Sequence, residues 1–259
     1  MKIEMEKIKE CVIQAGALFA DRAAASHTKA KGRADFVTDV DFAVQSFVQS
    51  RLKELYPEIG FISEEKDNSR EDKKMTWVLD PVDGTTNLIH GYNASAVSLA
   101  LLVDGEPVLG LIYNPYKKEL FTAEKGRGAF LNGKLIRVSD AACMEESLIA
   151  VGTSPYYKEE LTKENFALIQ AIYLDAQDIR RSGSAALDLA DVACGRTEAY
   201  CERRLKIWDY AAGLLLIQEA GGTVIDYHGQ AVTKPEMVLD VIAGNRKIPE
   251  LIYRKYLTD

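Results

Sequence analysis

The stretch Trp77-Val78-Leu79-Asp80-Pro81-Val82-Asp83-Gly84-Thr85-Thr86-Asn87 sets three apolar residues before two carboxylates spaced i, i+3, and a Gly-Thr-Thr-Asn run follows. Trp77 to Leu79 read as a short buried strand. Pro81 has no amide to give a ladder and restricts the residue before it, so the strand is expected to end at Asp80. Asp80 and Asp83 then leave the strand on one loop, facing the same small volume. Gly84 lets backbone approach a ligand, and Thr85-Thr86-Asn87 open a helix whose free amides favour an anion. Carboxylates and an anion are compatible when a hard cation lies between them. Mg²⁺ takes oxygen ligands, commonly one or two carboxylates plus a substrate phosphate. The stretch reads as a metal-bridged phosphate site. Asp-x-x-Asp-Gly by itself is ordinarily a solvated turn; the longer string makes the reading specific.

The 259 residues suffice for one large domain or two closely packed halves. A hydrophobic share of 47% fits a chain with a folded core. A net charge of −7 and a pI near 5.2 argue against a nucleic-acid surface as the main business. Residues Met1 to Glu6 are charged and contain no apolar signal core, and no apolar run approaches the roughly 18 residues of a membrane span. A cytosolic protein without a membrane partner is expected. Cys11, Cys143, Cys194 and Cys201 have no Cys-x-x-Cys spacing and read as buried free thiols.

Residues 2–25 carry apolar side chains at helical spacing and predict one amphipathic helix. Residues 26–35, with Lys29, Lys31, Gly32 and Arg33, read as a basic loop. A second helix opens near Thr38, where Asp41 three residues on forms a capping box. Gly60 to Glu65 is a short strand ending in two acids, and residues 67–74 a charged connector. From Ala94 the pattern turns to an antiparallel meander of strands at 94–103, 108–113, 119–123, 129–131 and 135–138, closing a first half at residue 139. In the second half, 140–259, strands at 148–151, 179–181, 198–201, 223–225 and 238–243 alternate with helices at 161–174, 184–193, 208–220 and 249–257. The fold class is α/β, with an α+β first half and an α/β second half.

Two strings carry a family resemblance. Asp80-Pro81-Val82-Asp83-Gly84-Thr85-Thr86-Asn87 resembles the first signature of the inositol monophosphatase family, Asp-Pro-aliphatic-Asp-Gly-Thr-x-Asn-aromatic, with Leu88 in the aromatic place. Trp208-Asp209-Tyr210-Ala211-Ala212-Gly213 with Glu219-Ala220-Gly221-Gly222 is similar to the second, Trp-Asp-x-Ala-x-Gly followed by Glu-Ala-Gly-Gly. The resemblance implies a layered αβαβα sandwich and Mg²⁺-dependent hydrolysis of a small-molecule phosphate monoester by direct water attack. It implies two or three Mg²⁺ ions, with Mn²⁺ as a substitute, on Glu64, Asp80, Asp83, Asp209 and the carbonyl of Val82. Glu64 and Thr85 would position the water, with Asp41 behind Thr85; helix capping alone equally accounts for Asp41. Gly84 and Thr85 amides would hold the phosphate, while Asp83, Gly183, Ser184, Ala185, Glu202 and Asp209 would line the substrate. A homodimer and lithium sensitivity are also implied.

The substrate is less sharply indicated. Glu202 stands where inositol-specific relatives hold ring hydroxyls, favouring myo-inositol 1-phosphate. Arg203 and Arg204 suit a second phosphate, as in fructose 1,6-bisphosphate or NADP⁺, or are a solvated pair. Lys29 to Arg33 receives no role, because its spacing falls one residue short of the family's. His90 is expected to pack or hydrogen-bond rather than ligate. A different class remains open: a binding protein of transcription or ribosome assembly built on the same fold.

Overall fold

A computed structural model of the chain describes residues 3–32, 35–65 and 73–258. Helices α1 (Met5–Ala17) and α2 (Arg22–Ser26) occupy the segment expected as one helix. Asp21 divides it, because its carboxylate accepts the Ala24 amide at 3.0 Å and starts α2 afresh. The segment expected as a loop is a hairpin, β1 (Thr28–Gly32) antiparallel to β2 (Asp35–Thr38); Arg33 lies outside the described residues, as do 66–72 of the charged connector. Helix α3 (Asp39–Leu55) follows with the expected capping box at Thr38 and Asp41.

Strands β3 (Gly60–Ser63) and β4 (Met75–Asp83) precede the short helix α4 (Thr85–His90). The meander then runs β5 (Ala96–Val103), β6 (Glu106–Asn114), β7 (Glu119–Glu124), β8 (Gly128–Leu131) and β9 (Lys134–Leu135), the last ending three residues early. These seven strands form one sheet in chain order, with β3 parallel to β4 and the rest antiparallel. β4 does not end at Asp80 as expected. It passes through Pro81 because β3 pairs only as far as Leu79, and on the other side the β5 register shifts between Asp80 and Asp83. Proline is tolerated at such a bulge, where no ladder bond is asked of it.

The second half contains β10 (Leu148–Val151), α5 (Lys158–Asp175), β11 (Asp178–Arg180), α6 (Ala185–Ala193), β12 (Ala199–Lys206), α7 (Ile207–Glu219), β13 (Thr223–Asp226), β14 (Val238–Gly244) and α8 (Ile248–Tyr256). Its five-stranded sheet is ordered β11-β10-β12-β14-β13.

Side-chain alternation explains the layers. On β5, Val97, Leu99 and Leu101 face Val12, Val44 and Leu52 of α1 and α3, while Ala96, Ala100 and Leu102 face α6 and α7. On β14, Val241 and Ala243 face α6 and α7 from the other side, and Ile242 joins Ile172 and Ile252 of α5 and α8. The stack is α1/α3, seven-stranded sheet, α6/α7, five-stranded sheet, α5/α8. α7 is apolar all round, as a helix between two sheets must be. It lies so close to β6 that a Cβ on Gly110 would meet the Ala212 carbonyl at 2.8 Å. Cys11 and Cys201 are buried free thiols as expected, whereas Cys143 and Cys194 are free but only half-buried. Among the described residues no helix is long and apolar enough to cross a membrane.

Candidate active site

The bulge in β4 turns Asp80 and Asp83 into one cleft, and the start of α7 brings Asp209 to meet them. Carboxylate oxygens of all three lie within 4.8 Å of one another. Each is tethered by backbone. Asp80 Oδ1 accepts the Val82 amide at 3.0 Å, and Asp209 Oδ2 accepts the Lys206 amide at 2.6 Å. Asp83 Oδ2 accepts the Ala186 amide at 2.7 Å and the Ser184 hydroxyl, which joins the first half to the N-terminus of α6. Glu64, just past β3, lines the same cleft but stands outside the tight group of three.

Burial pushes all three aspartates toward their protonated forms. Glu64, Asp83 and Asp209 add repulsion at Asp80, and Asp83 and Glu64 do so at Asp209. Asp83 is raised to about 6, the donors from Ser184 and Ala186 opposing part of the burial effect. Buried carboxylates without a cation are held at a cost. An all-oxygen donor set of this kind fits a hard divalent cation such as Mg²⁺ and fits softer metals poorly.

Beside the carboxylates, the Thr85 hydroxyl lies 3.0 Å from Asp41 Oδ1 and 3.0 Å from the Val82 carbonyl, two acceptors for one proton. Asp41 Oδ2 accepts both the amide and the hydroxyl of Thr38. The cap and the contact with Thr85 therefore coexist. With its proton given away, Thr85 presents a lone pair to the cleft. Gly84 (φ +89°) needs its lack of a side chain, because a Cβ would sit 3.0 Å from the Ala94 carbonyl and 3.2 Å from that of Gly183.

The cleft, about 370 Å³, continues past Gly183, Ser184 and Ala185 to a wall built by the five-stranded sheet. There Glu202 is buried, accepting the Tyr200 hydroxyl and the Ser154 amide, the latter at 2.7 Å. Gly152 makes room for it, since a Cβ there would fall 2.0 Å from the Glu202 carboxyl carbon. Burial raises the Glu202 carboxyl, and these donors oppose the rise. Arg203 stacks 4.6 Å from the Tyr227 ring and pairs with Asp240 at 3.6 Å. His90 is exposed and is not part of the cleft wall.

Two residues escaped the sequence reading. Asn87 Nδ2 donates to the carbonyls of Ala94 (2.7 Å) and Ser182 (2.9 Å), stapling α4 to the segment that enters α6. It stood inside the quoted stretch and could have been flagged there. Asp188 is buried on α6, lines the cleft, and is held well above the usual carboxylate range, chiefly by burial. An acid among the apolar residues Leu187, Leu189 and Val192 of α6 was the available signal.

A layered fold with an acidic cluster at its strand and helix ends defines a class, and sequence comparison agrees on it. The chain belongs to the inositol monophosphatase family, whose model matches residues 4–257. It is 41% identical over 227 residues to Nus factor SuhB of Xylella fastidiosa, covering 86% of this chain and 82% of that one. It is 38% identical over 226 residues to inositol-1-monophosphatase of Synechocystis, covering 86% and 78%. The structure matches extragenic suppressor protein suhB from Bartonella henselae with a TM-score of 0.89 at 37% identity, covering 96% of each chain.

Proposed function

We propose that this chain is a Mg²⁺-dependent phosphate monoester hydrolase acting on a polyol phosphate, with myo-inositol 1-phosphate as the leading substrate. The observation that carries it is the meeting of Asp80, Asp83 and Asp209 within 4.8 Å beside the paired Thr85 and Asp41. Glu64, Asp80, Asp83, Asp209 and the Val82 carbonyl would hold two or three Mg²⁺ ions, with Mn²⁺ able to replace them. Such ions supply Lewis acidity at the phosphoryl oxygens and a more acidic water.

The chain's own residues do the rest. Thr85, its proton held by Asp41, accepts from the attacking water, and Glu64 orients that water from the other side. Gly84 and Thr85 amides bind the phosphate. Ser184 and the Ala186 amide fix Asp83 in its ionised geometry. Glu202 accepts from ring hydroxyls, which its buried position makes selective for donors over anions. Residues 1–139 supply Glu64, Asp80, Asp83 and Thr85, and residues 140–259 supply Asp209 and the substrate wall, so neither half acts alone. We further propose a cytosolic, lithium-sensitive homodimer, which sedimentation should report as twice 28.7 kDa.

The test is phosphate release with Mg²⁺ across myo-inositol 1-phosphate, fructose 1,6-bisphosphate and NADP⁺, with Asp80→Asn as blank. Metal-dependent turnover of the inositol ester above the others supports the reading. Silence with metal demonstrably bound sinks it. A second reading rests on the relatives called Nus factor SuhB: binding to transcription machinery. Association with RNA polymerase that survives Asp80→Asn would support that role.

A further inference from the structure

We infer that Ser154 is a positioning residue for Glu202: its left-handed backbone aims one amide at the Glu202 carboxylate and so sets the acceptor that a polyol substrate meets. The substrate in this inference rests on the hydrolase reading, and the positioning rests on geometry alone.

Ser154 follows β10 in the segment that crosses to α5. It sits at φ +48°, ψ +61°, a conformation open to glycine and costly for serine, whose Cβ crowds the backbone. Pro155 adds to the cost, because the residue before a proline favours extended backbone. The side chain is buried, and both polar groups are directed at β12. The amide donates to Glu202 Oε1 at 2.7 Å, and the hydroxyl donates to the Arg203 carbonyl at 2.8 Å. That carbonyl lies in a bulge of β12, where the register against β14 shifts between Glu202 and Leu205 and Arg204 is itself left-handed at φ +59°. A buried asparagine completes the frame. Asn165 shares the inner stripe of α5 with Leu168 and Ile172, and its Nδ2 lies 3.3 Å from the Thr153 carbonyl and 3.4 Å from Ser154 Oγ.

The strained residue has a use. A carboxylate buried as Glu202 is keeps its charge and its orientation only where donors hold it. The Tyr200 hydroxyl holds Oε2 from the same strand, and the Ser154 amide holds Oε1 from across the sheet. The left-handed turn lets the chain present that amide to β12 and then swing at once toward α5. Glu202 is thereby clamped from two sides with its face to the cleft.

The test compares Ser154→Ala, which keeps the backbone cost and loses the hydroxyl, with Ser154→Gly, which loses both together. Alanine is expected to do more harm than glycine, the reverse of their usual order. With Mg²⁺, Ser154→Ala should raise KM for myo-inositol 1-phosphate about tenfold with kcat nearly unchanged, the size of one lost contact to a charged group. Ser154→Gly should raise it by no more than about threefold, and neither should alter KM for phenyl phosphate, which brings no hydroxyl to Glu202. Asn165→Leu, apolar like its neighbours on the stripe, should raise KM for the inositol ester alone and serves where Ser154→Ala does not fold. A second readout needs no turnover. The Glu202 carboxyl carbon, followed by NMR across pH in metal-free protein, should titrate higher in Ser154→Ala than in wild type or Ser154→Gly, since the amide favours the charged form. The groups facing it, Arg181, Tyr200, Tyr227, Asp83, Asp188 and Asp209, are the same in every variant. Glycine as harmful as alanine overturns the inference, as does an equal rise in KM for both esters or an unmoved Glu202 titration in Ser154→Ala. If wild type turns over neither ester while the Glu202 titration separates alanine from glycine, the hydrolase reading fails and the positioning stands.

Discussion

Asp80→Asn should make the metal-free protein more stable and abolish its response to Mg²⁺. The substitution keeps the side-chain shape, and the asparagine oxygen can still accept the Val82 amide that now binds Asp80 at 3.0 Å. What it removes is one of three charges meeting within 4.8 Å. At that distance, with an effective dielectric near 20, each pair of full charges repels by about 3 kcal/mol. Protonation relieves much of this. Asp83 is raised from its ordinary 3.8 to about 6, and at roughly 1.4 kcal/mol per unit that is about 3 kcal/mol, most of it burial. Asp80→Asn should therefore recover about 1–3 kcal/mol at pH 7.5, or roughly 2–12 °C in Tm for a chain of this size. The pH dependence has a definite sign. Between about pH 3.8 and 6 folded Asp83 keeps a proton that the unfolded chain releases, so metal-free stability falls as pH rises through that window. The advantage of Asp80→Asn should accordingly shrink at pH 4. Mg²⁺ at a hundredfold excess over its Kd should stabilise wild type by about 2.7 kcal/mol and the variant hardly at all. Thermal melts in chelator and in Mg²⁺ at both pH values measure all of this. An Asp80→Asn protein that melts at or below wild type without metal, yet still gains from Mg²⁺, would refute the reasoning.

Thr85→Ala should lower kcat by about 10²-fold with little change in KM, because in the proposed mechanism the lost hydroxyl acts on the water while the retained amide holds the phosphate; steady-state kinetics showing the reverse would make the hydroxyl a substrate binder. Asn87→Ala leaves the Ala94 and Ser182 carbonyls without their donor and should cost about 2–4 kcal/mol in urea melts. Asn87→Asp should cost as much, since a carboxylate cannot donate, and a near-neutral Asp variant would end the staple. Gly110→Ala would set a Cβ 2.8 Å from the Ala212 carbonyl and should destabilise by about 1–3 kcal/mol, read from the shift in Tm.

The layers were legible because each rests on a local rule. Alternation along residues 94–103 and the all-round apolar character of 207–219 are properties of short windows, and they determine which element lies between which. The two strings whose aspartates meet in the cleft are likewise short windows of sequence. The split of the first helix at Asp21 is a local cap that the helical spacing hid; the other misreadings lie where a distant partner decides. Pro81 ends a strand only if both neighbours ask it for a bond, and the sequence does not say that β3 stops pairing at Leu79. The polar residues 28–32 have no strand pattern of their own and become a strand through pairing with Phe36 to Thr38. The Asn87–Ser182 and Ser184–Asp83 bonds join residues 95 and 101 positions apart. The left-handed backbone of Arg204 leaves no trace in residue type, since arginine is the opposite of what that conformation favours.

These long-range bonds also explain why the site sits at the seam between the two sheets. Asp80 and Asp83 belong to β4 of the seven-stranded sheet, and Asp209 to α7, packed between both sheets. Asp83 is in turn fixed by the amide and hydroxyl at the start of α6. The mutual distance of the three carboxylates is therefore set by how tightly α6 and α7 seat on β5 and β6. Small residues at the contact, Ala96, Ala100, Gly110, Ala211 and Ala212, allow that close seating. The same packing that stabilises the middle layer holds three mutually repelling charges together. A cation bound among them would close the seam from the other side, so ligand binding and the docking of the two halves form one equilibrium.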